Sequence, residues 1–388
     1  MTAFRPRFRR CIAAVATVCP AAEDLADTFP ALLFALATGF GPASARKATL
    51  ACIDRGSSLR EACATLGLPL WTRRLPAEAL AEPLPAFPLD ADFAAIMVAR
   101  VPEDSRECRV WLDRLTIALQ LGGRDLAMWF AREPRLLPPL TSDDDIRWLL
   151  AWAWTSLAPT SPGRALLRAA WTPSIGWKRA RDEVAIWRKR IELVGALAGG
   201  PGDPWFRDGR ALGIDIVHIG SVEALINESS MMENCLDQYA PHLAYGRVRV
   251  FSVRRDGKPI ADVELTLRSD EATMPCIAQI RGPRNRRAPP LVWQAVHAWL
   301  GAQPFRPITA TPTAPAASRE ALRLFWRPYA DALAKLGLED RLAVPMAVRE
   351  GRGGRLRQLA PRRRAVNRLA PSELPGHSAP GAPGNERV

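Results

Sequence analysis

The sequence predicts an α+β protein with a helical N-terminal region, a small helix–three-stranded antiparallel sheet–helix module and a disordered basic tail. Three observations support this prediction. Apolar residues recur at helical spacing up to about residue 200. Residues 199–204, Gly-Gly-Pro-Gly-Asp-Pro, interrupt that pattern, and apolar and polar residues alternate beyond them. We therefore divide the chain into residues 1–200, 201–303, 304–348 and 349–388.

The first region contains residues that typically begin or end helices. Gly41-Pro42 ends one periodic segment, and Ser142 precedes three aspartates as an N-cap would. Trp148 and Trp152 lie one helical turn apart, which indicates helix–helix packing. The basic, then apolar, N-terminus superficially resembles a secretory signal. Two cysteines in its apolar part favour a structural first helix instead.

Alternating residues predict three strands in the second region. Arg247–Arg254 and Ile260–Leu267 flank Asp256-Gly257, a strong hairpin signal, and Cys276–Arg281 supplies the third strand. Ile214–Ile219 alternates like a further short strand.

The helices of this module are predicted from their N-terminal signals. Ser221 is expected to cap a short helix, and Ser229 or Ser230 a second one that runs through Cys235 to about Tyr239. Pro289-Pro290 opens a last helix, in which proline suits the first turn.

The C-terminal part changes composition twice. Residues 304–348 read as a connector rich in Pro, Ala and Thr, followed by an amphipathic helix. Residues 349–388 hold nine Arg and three Glu without periodicity, which predicts disorder. The whole chain carries a net charge of +13, so an acidic partner such as nucleic acid is expected.

Several classes of site are not indicated by the sequence. The seven cysteines are irregularly spaced and the four histidines scattered, so we predict free thiols, a reducing compartment and no metal site. Phosphate-binding and dinucleotide-binding motifs are absent, so no cofactor is expected. Because no apolar run reaches the roughly 18 residues of a membrane span, we expect a cytoplasmic protein without membrane contact.

One set of residues carries a family resemblance. Met232, Cys235 and Tyr239 are followed by a hairpin containing Glu264 and then by Gln279-Ile-Arg-Gly-Pro-Arg-Asn285. In order and spacing, this segment of about 80 residues resembles the PcfJ-like family, known from conjugative plasmids and many bacterial chromosomes. The resemblance implies an accessory or binding protein linked to mobile elements, without a defined reaction.

The sequence departs from this family pattern at three positions. Asn234 stands where the family has His before the Cys, Leu236 replaces a usual Val, and Asp262 stands where Thr is common.

Cys235 is the candidate nucleophile. A position in the first turns of a helix favours a thiolate, and His218 or His242 would be the base. The alternative is a purely apolar helix face. Met232, Cys235 and Tyr239 have the spacing of such a face packed on the sheet.

Two polar sets are candidates for binding. The first comprises Glu228, Asn234, Gln279, Arg281 and Asn285, which would hold a polar ligand at one end of the sheet or else serve turns and caps. Met232, Tyr239 and Glu264, which belong to the family resemblance, are further binding candidates. The second would contact phosphate together with the basic tail, or else form a solvated loop, and comprises Arg281, Arg284, Arg286 and Arg287.

Three functions follow from these readings. The first is a PcfJ-like accessory or binding protein, associated with nucleic acid. The second is a cysteine-dependent hydrolase or acyl transferase. The third is a structural interaction protein whose helical region docks a protein partner.

Overall fold

The structure, a computed structural model, describes residues 1–133, 141–199, 203–304 and 306–345. The prediction of a helical N-terminal region is confirmed, whereas the predicted disordered tail lies outside the described residues. The helices before the first strand are α1 Pro6–Val18, α2 Leu25–Thr28, α3 Pro30–Ala37, α4 Ala43–Asp54, α5 Leu59–Leu66, α6 Ala91–Arg100, α7 Ser105–Arg132, α8 Asp143–Leu157 and α9 Trp177–Ala196.

The second half of the chain combines strands and helices. In order these are β1 Gly209–Ala211, β2 Ile214–His218, α10 Val222–Met232, α11 Ala240–Ala244, β3 Val248–Arg255, β4 Lys258–Thr266, β5 Cys276–Arg281, α12 Pro290–Gly301 and α13 Pro315–Lys335. A short 3-10 turn, Leu236–Gln238, connects α10 to α11. None of the described helices is both long enough and apolar enough to cross a membrane.

Tryptophans fix the packing of the later helices. Trp148 of α8, Trp187 of α9 and Trp326 of α13 contact one another edge to face, with ring centroids 5.7–6.0 Å apart. This geometry is the favoured one for aromatic pairs in a core. Ser142 caps α8 as the sequence predicts, since its hydroxyl accepts the N–H of Asp145.

The sheet has five antiparallel strands in the order β1-β2-β3-β4-β5. The prediction of three strands is therefore wrong in number, although α+β is correct. β3, β4 and β5 lie where the sequence predicts them. β2 was expected as a strand but not as part of this sheet, which it joins beside β3, and β1 has only three residues, too few to show alternation.

The two faces of the sheet pack against different layers. Phe251, Val253 and Val263 share a core with α12, which covers one face. Val248 and Val250 face the other way, towards α10, α11 and the turn between them. This second core continues into α8, α9 and α13, so the helices before the sheet support the face on which the candidate site lies.

A buried ion pair links the early helices to that face. The Nε atom of Arg190, on α9, donates to Asp237 in the 3-10 turn at 2.9 Å, and both side chains are buried. A second guanidinium N–H donates to the carbonyl oxygen of Leu166. Because each charge is removed from water, each depends on its partner.

We expect Arg190→Met to lower the free energy of unfolding by about 3–5 kcal/mol, because Asp237 would be left buried without a partner. Urea unfolding measures this loss. The double variant Arg190→Met/Asp237→Asn should recover most of it. Arg323→Ala, which breaks the exposed pair with Glu320, is the control and should change little. Equal effects of Arg190→Met and the control would contradict the assignment.

Candidate functional site

α10 ends immediately before the turn that carries Cys235. The helix continues without interruption to the residue before Glu233, which adopts a left-handed φ of 49°. The prediction of a second helix that begins near Ser229 and holds Cys235 in its first turns is therefore wrong. Ser229 lies inside α10 and donates to the carbonyl oxygen of Asn234. Cys235 follows a helix C-terminus, so the helix-dipole argument for a thiolate does not apply.

This turn and the sheet border a small cleft with a cavity volume of about 20 Å³. It brings together polar residues from three separate segments of the chain. One of these residues is Asn285, which lies in a turn where both Arg284 and Asn285 have a left-handed backbone conformation. Met232, in contrast, is fully buried in α10. The residues that line the cleft are Asn234, Cys235, Leu236, Tyr239, Val250, Asp262, Glu264, Gln279, Arg281 and Asn285.

Three polar side chains form a closed network at one side of the cleft. Glu264 and Gln279 are ladder partners on β4 and β5. The Tyr239 hydroxyl donates to Oε2 of Glu264 at 2.9 Å, and Nε2 of Gln279 donates to the same oxygen and to the Tyr239 oxygen. Burial, and then the charge of Glu264, raise the pKa of Tyr239 well above its usual value. Tyr239 therefore remains a neutral hydrogen-bond donor.

A second cluster, centred on two acidic residues, lies deeper. Glu228 of α10 is fully buried and accepts hydrogen bonds from the Ser252 hydroxyl and from Arg254. Asp262, beside it on β4, accepts a hydrogen bond from the side-chain amide of Asn234 at 2.5 Å. Two of the three positions that depart from the PcfJ-like pattern, Asn234 and Asp262, are thus direct partners.

Asp262 is held in its protonated form near neutral pH. Burial raises its pKa from the usual 3.8 to about 8, and the charge of Glu228 adds to the rise. The hydrogen bond from Asn234 and the charge of Arg254 oppose it. A side-chain hydrogen bond with Glu228, to which the protonated carboxyl of Asp262 donates, raises the pKa further. Such a group in a cleft is a functional-site candidate.

Neither histidine lines the cleft. His218 pairs with Phe251 across β2 and β3, with ring centroids 5.3 Å apart, and therefore lies on the face that α12 covers. Desolvation lowers its pKa to about 4. His242 is exposed on α11 and contacts the ring of Tyr239. Among the described residues, the cleft therefore contains the exposed thiol of Cys235 without an imidazole.

The predicted basic set divides into paired and unpaired residues at the mouth of the cleft. Arg284 forms a two-point ion pair with Glu233, at 2.8 and 2.9 Å. Arg281 and Arg287 form a backbone bridge that places them side by side. Arg281, Arg286 and Arg287 are exposed and have no ion pair within the described part of the chain.

Sequence reasoning missed Asp262 as a site residue and named it only as a departure from the family pattern. Ser252 and Arg254, which donate hydrogen bonds to the neighbouring Glu228, were missed as well. A signal was present, because Asp262 lies two residues before Glu264 and alternate strand residues share a face. Ser252 and Arg254 occupy the same face of β3.

Comparison with models of protein families, with curated proteins and with solved structures finds no match for this chain. The PcfJ-like resemblance therefore stays a prediction from motif order and spacing. The geometry of the cleft is the firmer basis for inferring a function.

The raised pKa of Asp262 predicts a pH dependence of stability. The folded protein retains this proton up to a pH of about 8, whereas the unfolded chain loses it near a pH of about 4. Between these values the folded state binds more protons, so stability falls as pH rises.

We expect Asp262→Asn to remove this dependence and to raise the free energy of unfolding by about 1–3 kcal/mol at alkaline pH, because the amide can donate to Glu228. The gain should shrink as pH falls towards 4. Urea titrations across this pH range test it, with the exposed Glu223→Gln as the control. A gain that is independent of pH would contradict the assignment.

Proposed function

We propose that this chain is a PcfJ-like binding protein that holds a polar ligand in the cleft between the Cys235 turn and the sheet. The observation that carries the proposal is the convergence of polar side chains from three separate segments, Asn234, Asp262 and Arg281 among them, on one cleft. A concave site with a few convergent polar groups, one of them with a shifted pKa, is where a ligand is expected to bind.

The rest of the cleft supports binding rather than thiol chemistry. Tyr239, Glu264 and Gln279 hold one another in fixed positions, which preorganises the wall of the cleft. Cys235 lies at the same wall, but no imidazole from the described part of the chain accompanies it, and it follows the C-terminus of α10. We assign Cys235 a place beside the ligand and no catalytic role.

Labelling of Cys235 tests the occupancy of the cleft. Cys11 is also exposed, but it lies on α1 and outside the cleft, so it serves as an internal reference. Mononucleotides, amino acids and simple amines, each at about 10 mM, are added before a thiol alkylating reagent. We expect at least one of them to slow alkylation of Cys235 while Cys11 reacts unchanged. Glu264→Gln should weaken that protection. A cleft that no probe protects would contradict the proposal.

We propose further that the arginines at the mouth contact nucleic-acid phosphate. Arg281, Arg286 and Arg287 are exposed without a carboxylate partner in the described structure, unlike Arg284. A guanidinium that is not already paired is free to make two hydrogen bonds to a phosphate.

Salt dependence tests these contacts. Each phosphate contact with single-stranded nucleic acid contributes about −0.7 to the slope of log Kobs against log salt concentration. We expect Arg286→Ala/Arg287→Ala to make the slope of the full chain shallower by about 1.4. Arg284→Ala is the control and should alter the slope less, because Arg284 is already paired. An unchanged slope in the double variant would leave the nucleic-acid contact unsupported at this loop.

A further inference from the structure

A groove between α8 and α9 is separate from the cleft and much larger. Its cavity volume is about 330 Å³, and small-molecule sites usually have volumes of roughly 300–1,000 Å³. The first half of α8 and four turns of α9 line the groove, and among the described residues none lines both the groove and the cleft. The groove can therefore hold a small molecule that would not fit the cleft.

The floor of the groove is long and apolar. Trp148 and Leu149 of α8 and Trp177 of α9 are almost completely buried, and Val184 is half-buried beside them. The lining residues of α9 extend from Trp177 to Glu192, which is about 22 Å along a helix axis that rises 1.5 Å per residue. A long apolar channel accommodates an extended chain better than a compact group.

Three cations line the groove, and two of them are already paired. Arg188 lies 3.8 Å from a carboxylate oxygen of Asp144, and the Nζ atom of Lys189 lies 3.0 Å from a carboxylate oxygen of Glu192. Arg181 is exposed and makes no ion pair or side-chain hydrogen bond within the part of the chain that the structure describes. Its guanidinium is therefore available to an anion that enters the groove.

The balance of charge in the groove determines how much negative charge a ligand carries. Two carboxylates, Asp145 and Glu192, line the groove together with the three cations, which leaves a single net positive charge. A polyanion such as a nucleic-acid strand would bring repeated phosphates close to these carboxylates, and like charges repel. An anion with one charge and an apolar body complements both the cations and the floor.

We propose that this groove binds an aliphatic monocarboxylate, whose carboxylate pairs with Arg181 and whose chain lies along the floor between α8 and α9. The planar guanidinium presents two N–H groups in the geometry that a carboxylate accepts. Each CH₂ group that leaves water for the apolar floor adds to the affinity. The charge therefore orients the ligand, and the chain provides most of the binding free energy.

Isothermal titration calorimetry of the full chain with hexanoate, octanoate and decanoate tests the role of the chain. We expect about one ligand per protein and an affinity that rises about fourfold for each added CH₂ group, because each one buries more apolar surface. The rise should stop once the chain fills the groove. Octanoate should leave the alkylation rate of Cys235 unchanged, because Cys235 lines the cleft and not the groove.

Three variants separate the role of the charge from that of the apolar floor. Arg181→Gln should weaken octanoate binding about fivefold and leave 1-octanol binding unchanged, because only the carboxylate pairs with the guanidinium. Ala185→Trp places a large side chain in the groove from an exposed position and should weaken binding of both ligands about tenfold or more. Lys178→Gln, which removes an exposed cation of α9 outside the groove, is the matched control.

Several outcomes would overturn the proposal. One is an affinity that does not depend on chain length, and another is an Arg181→Gln variant that treats octanoate and 1-octanol alike. Unchanged binding in Ala185→Trp, after thermal unfolding has shown this variant to be folded, would mean that the acid adsorbs elsewhere. A single-stranded oligonucleotide that displaces octanoate and loses affinity in Arg181→Gln would assign the groove to nucleic acid instead. No binding of any of the three acids at about 10 mM would reject the site.

Discussion

The buried ion pair between Arg190 and Asp237 determines where the cleft can form. Asp237 lies two residues after Cys235, and Arg190 belongs to a helix that precedes the whole sheet. Both side chains are almost completely buried, so other positions of the turn would leave a buried charge unpaired. The pair therefore selects one arrangement of the turn over the sheet. The network around Glu264 and the cluster around Asp262 both depend on that arrangement.

The two halves of the cleft satisfy their polar groups to different degrees. At Glu264 the acceptor has donors from Tyr239 and Gln279. At Asp262 a buried carboxyl group lies against another acid, so its hydrogen bond with Glu228 requires that it keep a proton. A fold under selection for stability alone would favour an amide at such a position. Residual strain of this kind typically occurs at functional sites, where binding compensates for it.

The sequence predicts the framework well where a local signal exists. The β3–β4 hairpin follows from alternation around Asp256-Gly257, and the start of α8 follows from Ser142. The residue spacing of the family resemblance also names most of the residues that line the cleft. The resemblance itself, and the function drawn from it, remain predictions.

The failures have identifiable physical causes. In the sequence Ser229 has the pattern of an N-cap. In the structure it lies inside α10, and its hydroxyl donates to the carbonyl oxygen of Asn234. β1 is too short to show a period. The charge state of Asp262 depends on burial and on Glu228, which lies 34 residues earlier in the sequence. Pairing at such a distance follows from tertiary structure and not from local spacing.

The ion pair between Glu233 and Arg284 gives the cleft one weak side. Both residues adopt left-handed backbone conformations, which are unusual for side chains of this kind, and both side chains are 60% exposed. Water and salt compete with an ion pair in this setting. The opposite side of the turn is anchored in the core by Asp237. The cleft is therefore held firmly on the side of Asp237 and weakly on the side of the Glu233–Arg284 ion pair. Its mouth can widen there while the helices that support it stay packed.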